Sequence, residues 1–520
     1  MSRRNLYYVA TLPAKDDERL FVIRRDFSGG SNTRQHASKL SENQVENMEN
    51  WDIGIAGQMV KNLGLTLAYE DLDLGSDPGT GALGYNPRGG TNELLVTHGT
   101  KLEGYTGSGT FTEHDTGFTT GLPTTMIKAT CSGANGDIVL ISNGTDNVHQ
   151  MLSDHTVSDL GNANEDCPVT TVMTFYRNRV WALKANLLYW SDALPTTYDG
   201  KFDRTTNNFN MTVGAERAVL GLRDIGIICL GQDAVYGINP AVTPAATDKP
   251  EKLLDIGCVA GNTACQVADD VFFLSNDGVR GVFRTQQDKL QMGQSFPLSY
   301  ALKTEFDSIS WAYISKACAV YFDNKYFLSL PTGASTYNNQ VWVFYPATGS
   351  WTVIDGWNVA AWATINFSGQ PCLYCIDSND GLVYRAWYGN NNNDVAITAT
   401  FIGREEDMGQ PLNYKSGGEL EIEAEVAGSG NTLAVSIAID GRDFTTLGTI
   451  DLASTTAPVL PIELPFTLAD SYVIKEKFHL DSLGPWRTIQ VKIVNDDDNT
   501  DSIIIYGYSI VTFLEEYRNE

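Results

Sequence analysis

Between residues 91 and 390 the sequence repeats one unit: an apolar strand, a turn, a second apolar strand, a polar turn and a third strand. The second strands are runs such as Asp137-Ile-Val-Leu-Ile and Asp270-Val-Phe-Phe-Leu, and third strands follow turns such as Asn276-Asp-Gly and Asn379-Asp-Gly. Asx-Gly pairs between apolar runs are strong signals for β-hairpins. Because one small meander cannot bury both of its faces, the units are expected to stack against one another.

The pattern contains seven such units, spaced by roughly 30 to 50 residues, which is close to the period of β-propeller blades. They begin near Asn92, Thr125, Val169, Ala218, Cys265, Ala317 and Ala360. A radial arrangement of small sheets buries each face against a neighbour and leaves only short edges. Two alternatives stay open: six or eight blades, or serial β-sandwich domains with the same strand spacing.

The flanking segments do not show this repeated unit. Residues 1–90 are expected to form an N-terminal arm and the first strands that complete the propeller, with a short helix over Ser41–Asn50 capped by Ser41. After a polar joint at residues 389–395, the segment Glu419-Leu-Glu-Ile-Glu-Ala-Glu-Val alternates strictly, as a half-buried strand does. The sequence therefore predicts an all-β chain: a β-propeller of about seven blades over residues 91–390, followed by a C-terminal β-sandwich over residues 396–520.

The charge balance is strongly acidic. The chain has 63 Asp and Glu against 36 Lys and Arg, for a formal net charge of −27. Such a surface repels phosphate and argues against tight nucleic-acid binding, which depends on cations that displace counterions. It remains compatible with a surface past which DNA slides, or with a role in solubility alone.

The cysteines and the N-terminus bear on the compartment. Most of the eight cysteines lie in apolar strand-like runs, which predicts reduced, buried thiols and assembly in a cytoplasm. The apolar patch within residues 1–10 is too short and too polar for a signal peptide, so Arg3 and Arg4 are expected to belong to a mobile or docking arm. No stretch approaches the roughly 18 apolar residues of a membrane span.

The histidines and one pair of cysteines are candidates for chemical sites. The six histidines, at 36, 98, 114, 149, 155 and 479, form no recognisable ligand pair, so each is expected to be structural or solvated. Cys372-Leu-Tyr-Cys375 lies in a strand pattern, where residues three apart face opposite sides, and core thiols are favoured over a redox or zinc motif.

Acidic and aromatic residues offer further alternatives. Two acidic segments could hold calcium but are better explained as solvated loops. They are Asp71, Asp73 and Asp77 around Gly75, and the segment Asn495–Asn499. Glu405-Glu406 could act on a glycan, although neighbours on a strand point apart. Tryptophans recur through the repeats and favour packing between blades over a sugar-binding groove; they are Trp181, Trp190, Trp311, Trp342, Trp351, Trp357, Trp362 and Trp387. No catalytic, cofactor or metal residue is assigned, and the chain is predicted not to be an enzyme.

Four pairs of segments carry a resemblance to a known family. They are Asp26-Phe-Ser-Gly-Gly-Ser-Asn-Thr with Glu46-Asn-Met-Glu-Asn-Trp-Asp; Arg179-Val-Trp-Ala-Leu with Leu188-Tyr-Trp-Ser-Asp; Asp255-Ile-Gly-Cys-Val with Asp270–Arg280; and Trp486-Arg-Thr-Ile-Gln-Val-Lys-Ile before a final strand near Ile503–Phe513. Together they resemble the β-propeller tail proteins of short-tailed bacteriophages, the tail nozzle or tail tubular protein B group. The likeness is diffuse and spans most of the chain, which is shorter than many nozzle proteins.

The resemblance implies a structural virion protein of the phage tail, assembled in the bacterial host cytoplasm. It implies a homo-oligomeric ring, a hexamer in that family, around the DNA exit channel. The expected partners are the adaptor and portal-proximal proteins, the tail fibre or spike proteins, and genomic DNA that passes through the lumen without specific binding. The alternative is a receptor-binding or polysaccharide-degrading tail spike.

Overall fold

A computed structural model describes residues 19–54, 57–68, 79–131, 136–194, 201–223, 225–245, 248–379, 381–427, 430–453, 473–498 and 501–515. This part of the chain is nearly all β-structure, which confirms the predicted all-β class. Its α-helices are α1 (Val282–Met292) and α2 (Lys303–Asp307). Within these ranges, no helix is both long enough and apolar enough to cross a membrane. The chain divides into two compact units, Leu63–Asn393 and the combined segments Met1–Asn62 and Asp394–Glu520.

The described strands are numbered in chain order. Those before residue 63 are β1 (Arg19–Arg24), β2 (Gly30–Ser31), β3 (Gln44–Val45), β4 (Asn47–Glu49), β5 (Trp51–Asp52) and β6 (Met59–Lys61). The next is β7 (Leu65–Leu67), which opens the middle unit. The first sheet contains β8 (Gly79–Tyr85), β9 (Glu93–His98), β10 (Lys101–Tyr105) and β11 (Thr112–Thr116). The second contains β12 (Thr125–Thr130), β13 (Asp137–Ser142), β14 (His149–Met151) and β15 (Val157–Asp159).

The same order repeats along the middle unit. The third sheet contains β16 (Met173–Tyr176), β17 (Arg179–Lys184), β18 (Leu187–Trp190) and β19 (Asn208–Asn210). The fourth contains β20 (Glu216–Leu222), β21 (Gly226–Gly231), β22 (Val235–Ile238) and β23 (Glu251–Leu254). The fifth has β24 (Cys265–Val267), β25 (Asp270–Ser275) and β26 (Gly278–Gly281), followed by α1.

The middle unit ends with two more sheets. The sixth contains β27 (Cys318–Phe322), β28 (Lys325–Leu330), β29 (Gln340–Tyr345) and β30 (Ser350–Asp355). The seventh contains β31 (Val359–Phe367), β32 (Gln370–Asp377) and β33 (Val383–Ala386), and its fourth strand is β7 from the start of the unit.

The seven sheets close on themselves. The first strand of each sheet contacts the first strand of the next, and β31 of the seventh contacts β8 of the first. Gly84 in β8 makes that last approach possible, because a Cβ there would lie 2.0 Å from the carbonyl oxygen of Thr364. Strand β7 pairs with β33 in the register Thr66–Arg385. The first strand of the middle unit therefore completes its last sheet.

The second strand of a sheet is apolar throughout because both of its faces are covered by neighbouring sheets. In Asp137–Ser142 every residue is buried. Val139 and Ile141 pack in a cluster with Tyr85 of the first sheet, whereas Ile138 and Leu140 pack in a cluster with Val180 of the third. Because successive side chains of a strand point to opposite faces, a strand covered on both faces loses the alternating pattern.

The other unit contains the C-terminal strands β34 (Ala399–Glu406), β35 (Lys415–Glu425), β36 (Thr432–Ile439), β37 (Thr445–Asp451), β38 (Val473–His479), β39 (Ile489–Asn495) and β40 (Ile504–Leu514). One sheet has the order β38-β35-β40-β6-β5, with β1 also on β40, and a second contains β4-β34-β39-β36-β37. Phe401 of β34 lies 6.2 Å from Tyr508 of β40, and Phe27 contacts both rings. These aromatic contacts join the two sheets.

The structure corrects three local expectations. The segment Ser41–Asn50 is not a helix: it contains β3 and β4, because pairing with β34 outweighs a weak helix signal. Within the segment 1–90, strands β7 and β8 belong to the ring of sheets, whereas residues 19–62 pack with the C-terminal strands, since β1 pairs along β40. Six of the seven sheets also have a fourth strand, which the three-strand unit omitted.

Candidate functional site

The axis of the middle unit is a small polar cavity. Its volume is about 370 Å³, and its lining comes from the first strands of six sheets and from the residues just before β24 of the fifth. The residues at its wall include Thr80, Thr124, Thr171, Arg217 and Trp362. This volume is in the range of small-ligand pockets, about 300 to 1,000 Å³. It is far too small for a DNA duplex, whose major groove alone is about 12 Å wide.

A second cavity of about 890 Å³ lies among the first, second, sixth and seventh sheets. Its lining combines the half-buried indole of Trp387 with polar groups of Asn86, Asp323, Asn324 and Asn366. Trp387 has a φ of 57°, a strained conformation for a bulky side chain, and Lys325 Nζ lies 4.9 Å from its ring centroid. The cavity therefore presents an aromatic face beside several amide groups.

The first two sheets gather four of the six histidines, each beside a carboxylate. Nε2 of His98 lies 2.9 Å from Glu103 Oε2, and both side chains are buried. Nδ1 of His149 lies 2.7 Å from Asp115 Oδ2. Two more histidines, His114 and His155, share the single carboxylate of Glu93. The sequence analysis predicts structural or solvated histidines, and it does not predict that these histidines and carboxylates lie next to one another.

The cluster of Glu93, His114 and His155 is built from three separate elements. Glu93 begins β9, His114 lies in β11 of the same sheet, and His155 lies in the turn between β14 and β15 of the second sheet. Nε2 of His114 lies 2.9 Å from Glu93 Oε1, and Nε2 of His155 lies 2.8 Å from Glu93 Oε2. The two imidazole rings stack at 4.6 Å with an interplanar angle of 9°. The nearest sequence distance is 21 residues, so no local spacing signals the cluster.

The cysteines weighed as a redox or zinc motif lie inside the sheets. Cys372 and Cys375 are both buried in β32, and no disulfide joins any of the eight cysteines, all of which are described residues. Burial raises the pKa of the Cys258 thiol to about 11 and that of Cys318 to about 12. Thiols of this kind stay protonated and unreactive at neutral pH.

The acidic candidates have structural partners. Glu406 accepts hydrogen bonds from Nε and Nη2 of Arg24 at 2.6 and 2.9 Å, and Glu405 accepts one from the Thr488 hydroxyl. In the segment Asn495–Asn499, the ammonium of Lys61 donates to Asn495 Oδ1 and to the carbonyl oxygen of Asp497. The Lys61 ammonium therefore already lies against two oxygen atoms of this segment. Asp71, Asp73, Gly75 and Asp77 lie outside the described residues.

Most of the tryptophans pack inside the ring of sheets. Trp181, Trp342, Trp351 and Trp357 are fully buried, and the ring centroids of Trp342 and Trp351 lie 6.3 Å apart. Trp311 differs, with 40% of its surface exposed. The packing interpretation thus holds for the buried indoles, whereas Trp387 faces the second cavity.

Comparisons with known proteins give only distant likenesses. No family model matches the sequence, and no curated protein matches it. A structure of PorZ, a bacterial surface component of the type-IX secretion system of Porphyromonas gingivalis, is similar at 11% identity with a TM-score of 0.32. The match covers 68% of this chain and 43% of that chain, so this chain spans less than half the length of PorZ.

A structure of an exo-β-1,3-galactanase from Phanerochaete chrysosporium with β-1,3-galactotriose is also similar. The identity is 9%, the TM-score is 0.22, and the match covers 86% of this chain and 100% of that chain. The same enzyme with galactose matches at 8% identity and a TM-score of 0.21. Neither PorZ nor the galactanase is a phage tail protein. At these TM-scores neither likeness assigns an activity to this chain.

Proposed function

We propose that the middle unit is a seven-bladed β-propeller and that the other unit is a β-sandwich. The first part rests on the seven successive sheets, on the contacts between their first strands, and on β7, which completes the seventh sheet. The second part rests on two sheets joined by the rings of Phe27, Phe401 and Tyr508.

We further propose that the chain is a structural protein of a bacteriophage tail, in which several copies form a ring around the DNA exit channel. The observation that carries this proposal is the closed ring of sheets, because a closed ring makes a rigid building block whose role needs no catalytic step. The sequence resemblance supplies the biological setting. Its segments Arg179–Lys184 and Asp270–Ser275 form buried second strands of the third and fifth sheets.

The DNA channel in this proposal is enclosed by several subunits. The axial cavity of one middle unit, about 370 Å³, has no room for a duplex. The net charge of −27 supports a lumen that repels phosphate, so that DNA slides without adhering. Adaptor proteins above the ring and fibre or spike proteins below it are the expected partners.

The fifth sheet supplies a surface for contacts between subunits. Where other sheets have a fourth strand, this sheet is followed by α1, and the segment from Leu290 to Tyr300 exposes large apolar side chains. Leu290 is 88% exposed, Met292 61% and Phe296 51%. Apolar groups gathered on one exposed segment are typical of protein interfaces. We propose that this segment packs against the next subunit of the ring.

Native mass measurement tests the proposal. The purified chain has a mass of 56.9 kDa, and assembly into a ring predicts one discrete multiple of it, six in a hexamer. A trimer would favour a spike, and a strict monomer over the micromolar range would contradict ring assembly. In the same preparation we expect no release of reducing sugars from host polysaccharide.

The second cavity favours one alternative function, the recognition of a glycan by a tail spike or receptor-binding protein. An indole face beside amide and carboxylate groups is the usual chemistry of sugar binding. Under this alternative, Trp387→Ala would abolish binding to host surface polysaccharide while Trp311→Ala, which changes an exposed indole elsewhere, would not. If the unmodified chain binds no host glycan, this alternative fails.

A further inference from the structure

We propose that Glu93, His114 and His155 bind one divalent transition-metal ion, with Zn²⁺ as the best-fitting ion, and that the ion ties the first sheet to the second. This inference is independent of the proposed role in a phage tail. It rests on the positions of three side chains that the sequence alone did not bring together.

The geometry of the three side chains suits one ion. One ligand atom from each residue lies within 4.8 Å of the others. The two Nε2 atoms face different oxygens of the same carboxylate, at 2.9 and 2.8 Å. In a tetrahedral site with bonds of about 2.0 to 2.2 Å, ligand atoms lie roughly 3.4 Å apart. Small rotations of the side chains would open the cluster to that spacing.

Hydrogen bonding leaves part of the cluster unsatisfied. The Glu93 side chain is only 4% exposed, and its Oε2 atom is buried. Although His155 Nε2 lies 2.8 Å from that oxygen, neither atom has a hydrogen-bond partner in the described part of the chain. Buried polar atoms without a partner are uncommon and costly. A cation between Oε2 and Nε2 would satisfy both atoms at once.

A glycine leaves the space that the cluster occupies. A Cβ at Gly104 would lie 2.0 Å from Glu93 Oε1 and 2.5 Å from His114 Nε2. The rings of His114 and His155 stack in parallel at 4.6 Å, so both imidazoles approach the Glu93 carboxylate from the same side of the cluster's open space.

The donor set selects the class of ion. Calcium and magnesium take oxygen ligands, whereas imidazole nitrogen suits zinc and the neighbouring first-row ions. Three protein ligands leave a fourth position for solvent. The His155 side chain is 34% exposed, which gives the ion a route from solvent. Since Glu93 and His114 belong to the first sheet and His155 to the second, the bound ion would link the two sheets.

Zinc titration tests the site in the full chain, prepared without a histidine tag and stripped with a chelator. We expect one Zn²⁺ per chain by calorimetry, and a rise in Tm of roughly 2 °C or more at a 100-fold excess over Kd. Co²⁺ should give the visible absorption of a tetrahedral site. His155→Asn is the informative variant, because Asn tolerates the φ of 66° at this position. It should weaken Zn²⁺ binding by about 100-fold or more while the circular dichroism stays unchanged.

His149→Asn is the matched control. It removes an imidazole that also faces a carboxylate on the same two sheets, Asp115, but that is not in the cluster. Binding in this variant should equal that of the unmodified chain. No stoichiometric binding of Zn²⁺ by the unmodified chain, or equal losses in His149→Asn and His155→Asn, would overturn the proposal and leave a hydrogen-bonded cluster only.

Discussion

The phenol of Tyr85 donates a hydrogen bond of 2.5 Å to the carbonyl oxygen of Asp137, which joins the first strand of the first sheet to the second strand of the second. The Tyr85 side chain is fully buried, and burial raises its pKa well above the ordinary value, so the donor stays protonated. The contact shows how neighbouring sheets are held together by polar as well as apolar groups. It also leads to the first prediction.

Tyr85→Phe should lower the free energy of unfolding by about 1 to 3 kcal/mol, because the buried carbonyl oxygen of Asp137 loses a donor. Chemical denaturation followed by tryptophan fluorescence measures the change. Tyr388→Phe is the control, since Tyr388 is 47% exposed. Equal stability of the Tyr85→Phe variant and the unmodified chain would mean that this bond does not hold the sheets together.

Ala68→Pro tests the closure of the ring by β7. The amide N–H of Ala68 donates to the carbonyl oxygen of Val383 at 3.0 Å, and proline has no such donor. We expect a loss of at least about 1 kcal/mol and faster proteolysis of the middle unit. Ala68→Ser keeps the N–H and should behave like the unmodified chain. A Pro variant as stable as the Ser variant would argue that β7 contributes nothing to closure.

The pH dependence of stability should report on Lys61. Burial lowers its pKa to about 8 in the folded chain, from 10.5. Between pH 8 and 10.5 the unfolded state therefore binds more protons at this site, so the contribution of Lys61 to stability rises with pH in that window. A lowering of the pKa of this size corresponds to roughly 3 kcal/mol over the window.

Comparison with Lys61→Met isolates this effect from other titrating groups. The free energy of unfolding, measured from pH 7 to 11, should rise less or fall more steeply in the Met variant than in the unmodified chain. The exposed Lys39→Met is the control and should follow the unmodified chain. Parallel curves for the Lys61→Met variant and the unmodified chain would show that Lys61 keeps an ordinary pKa.

Leu290→Glu tests the proposed contact between subunits. Leu290 is 88% exposed in the single chain, so the substitution should leave Tm within about 1 °C. It should nevertheless shift the assembled species toward single chains by burying a charge in the interface. Analytical ultracentrifugation measures the distribution, and Val242→Glu, at a position 78% exposed elsewhere on the middle unit, is the control. Unchanged assembly of Leu290→Glu would place the interface elsewhere.

The sequence predicts the repeated sheets well because their second strands are buried on both faces. A short continuous apolar run such as Asp137–Ser142, bounded by turn signals, fits a strand that is covered on both faces. The outer strands are different: Thr112–Thr116 has the sequence Thr-Glu-His-Asp-Thr and carries no apolar signal. The first strand of the first sheet, Gly79–Tyr85, has three glycines and carries only a weak strand signal. Tertiary pairing, which periodicity does not report, fixes both.

The candidate metal cluster was beyond the reach of sequence reasoning for a related reason. Glu93, His114 and His155 stand on two sheets, and only the closed stacking of those sheets brings their side chains together. The absence of a side chain at Gly104 is as important as the three ligands. A local motif search sees neither the stacking nor the space.

Electron cryo-microscopy of the assembled, purified chain tests the central claim most directly. The account predicts a closed ring of identical subunits around an open channel wide enough for a DNA duplex, with seven radial sheets visible in each subunit. Particles that contain single chains, or subunits in which the sheets do not close around an axis, would contradict it.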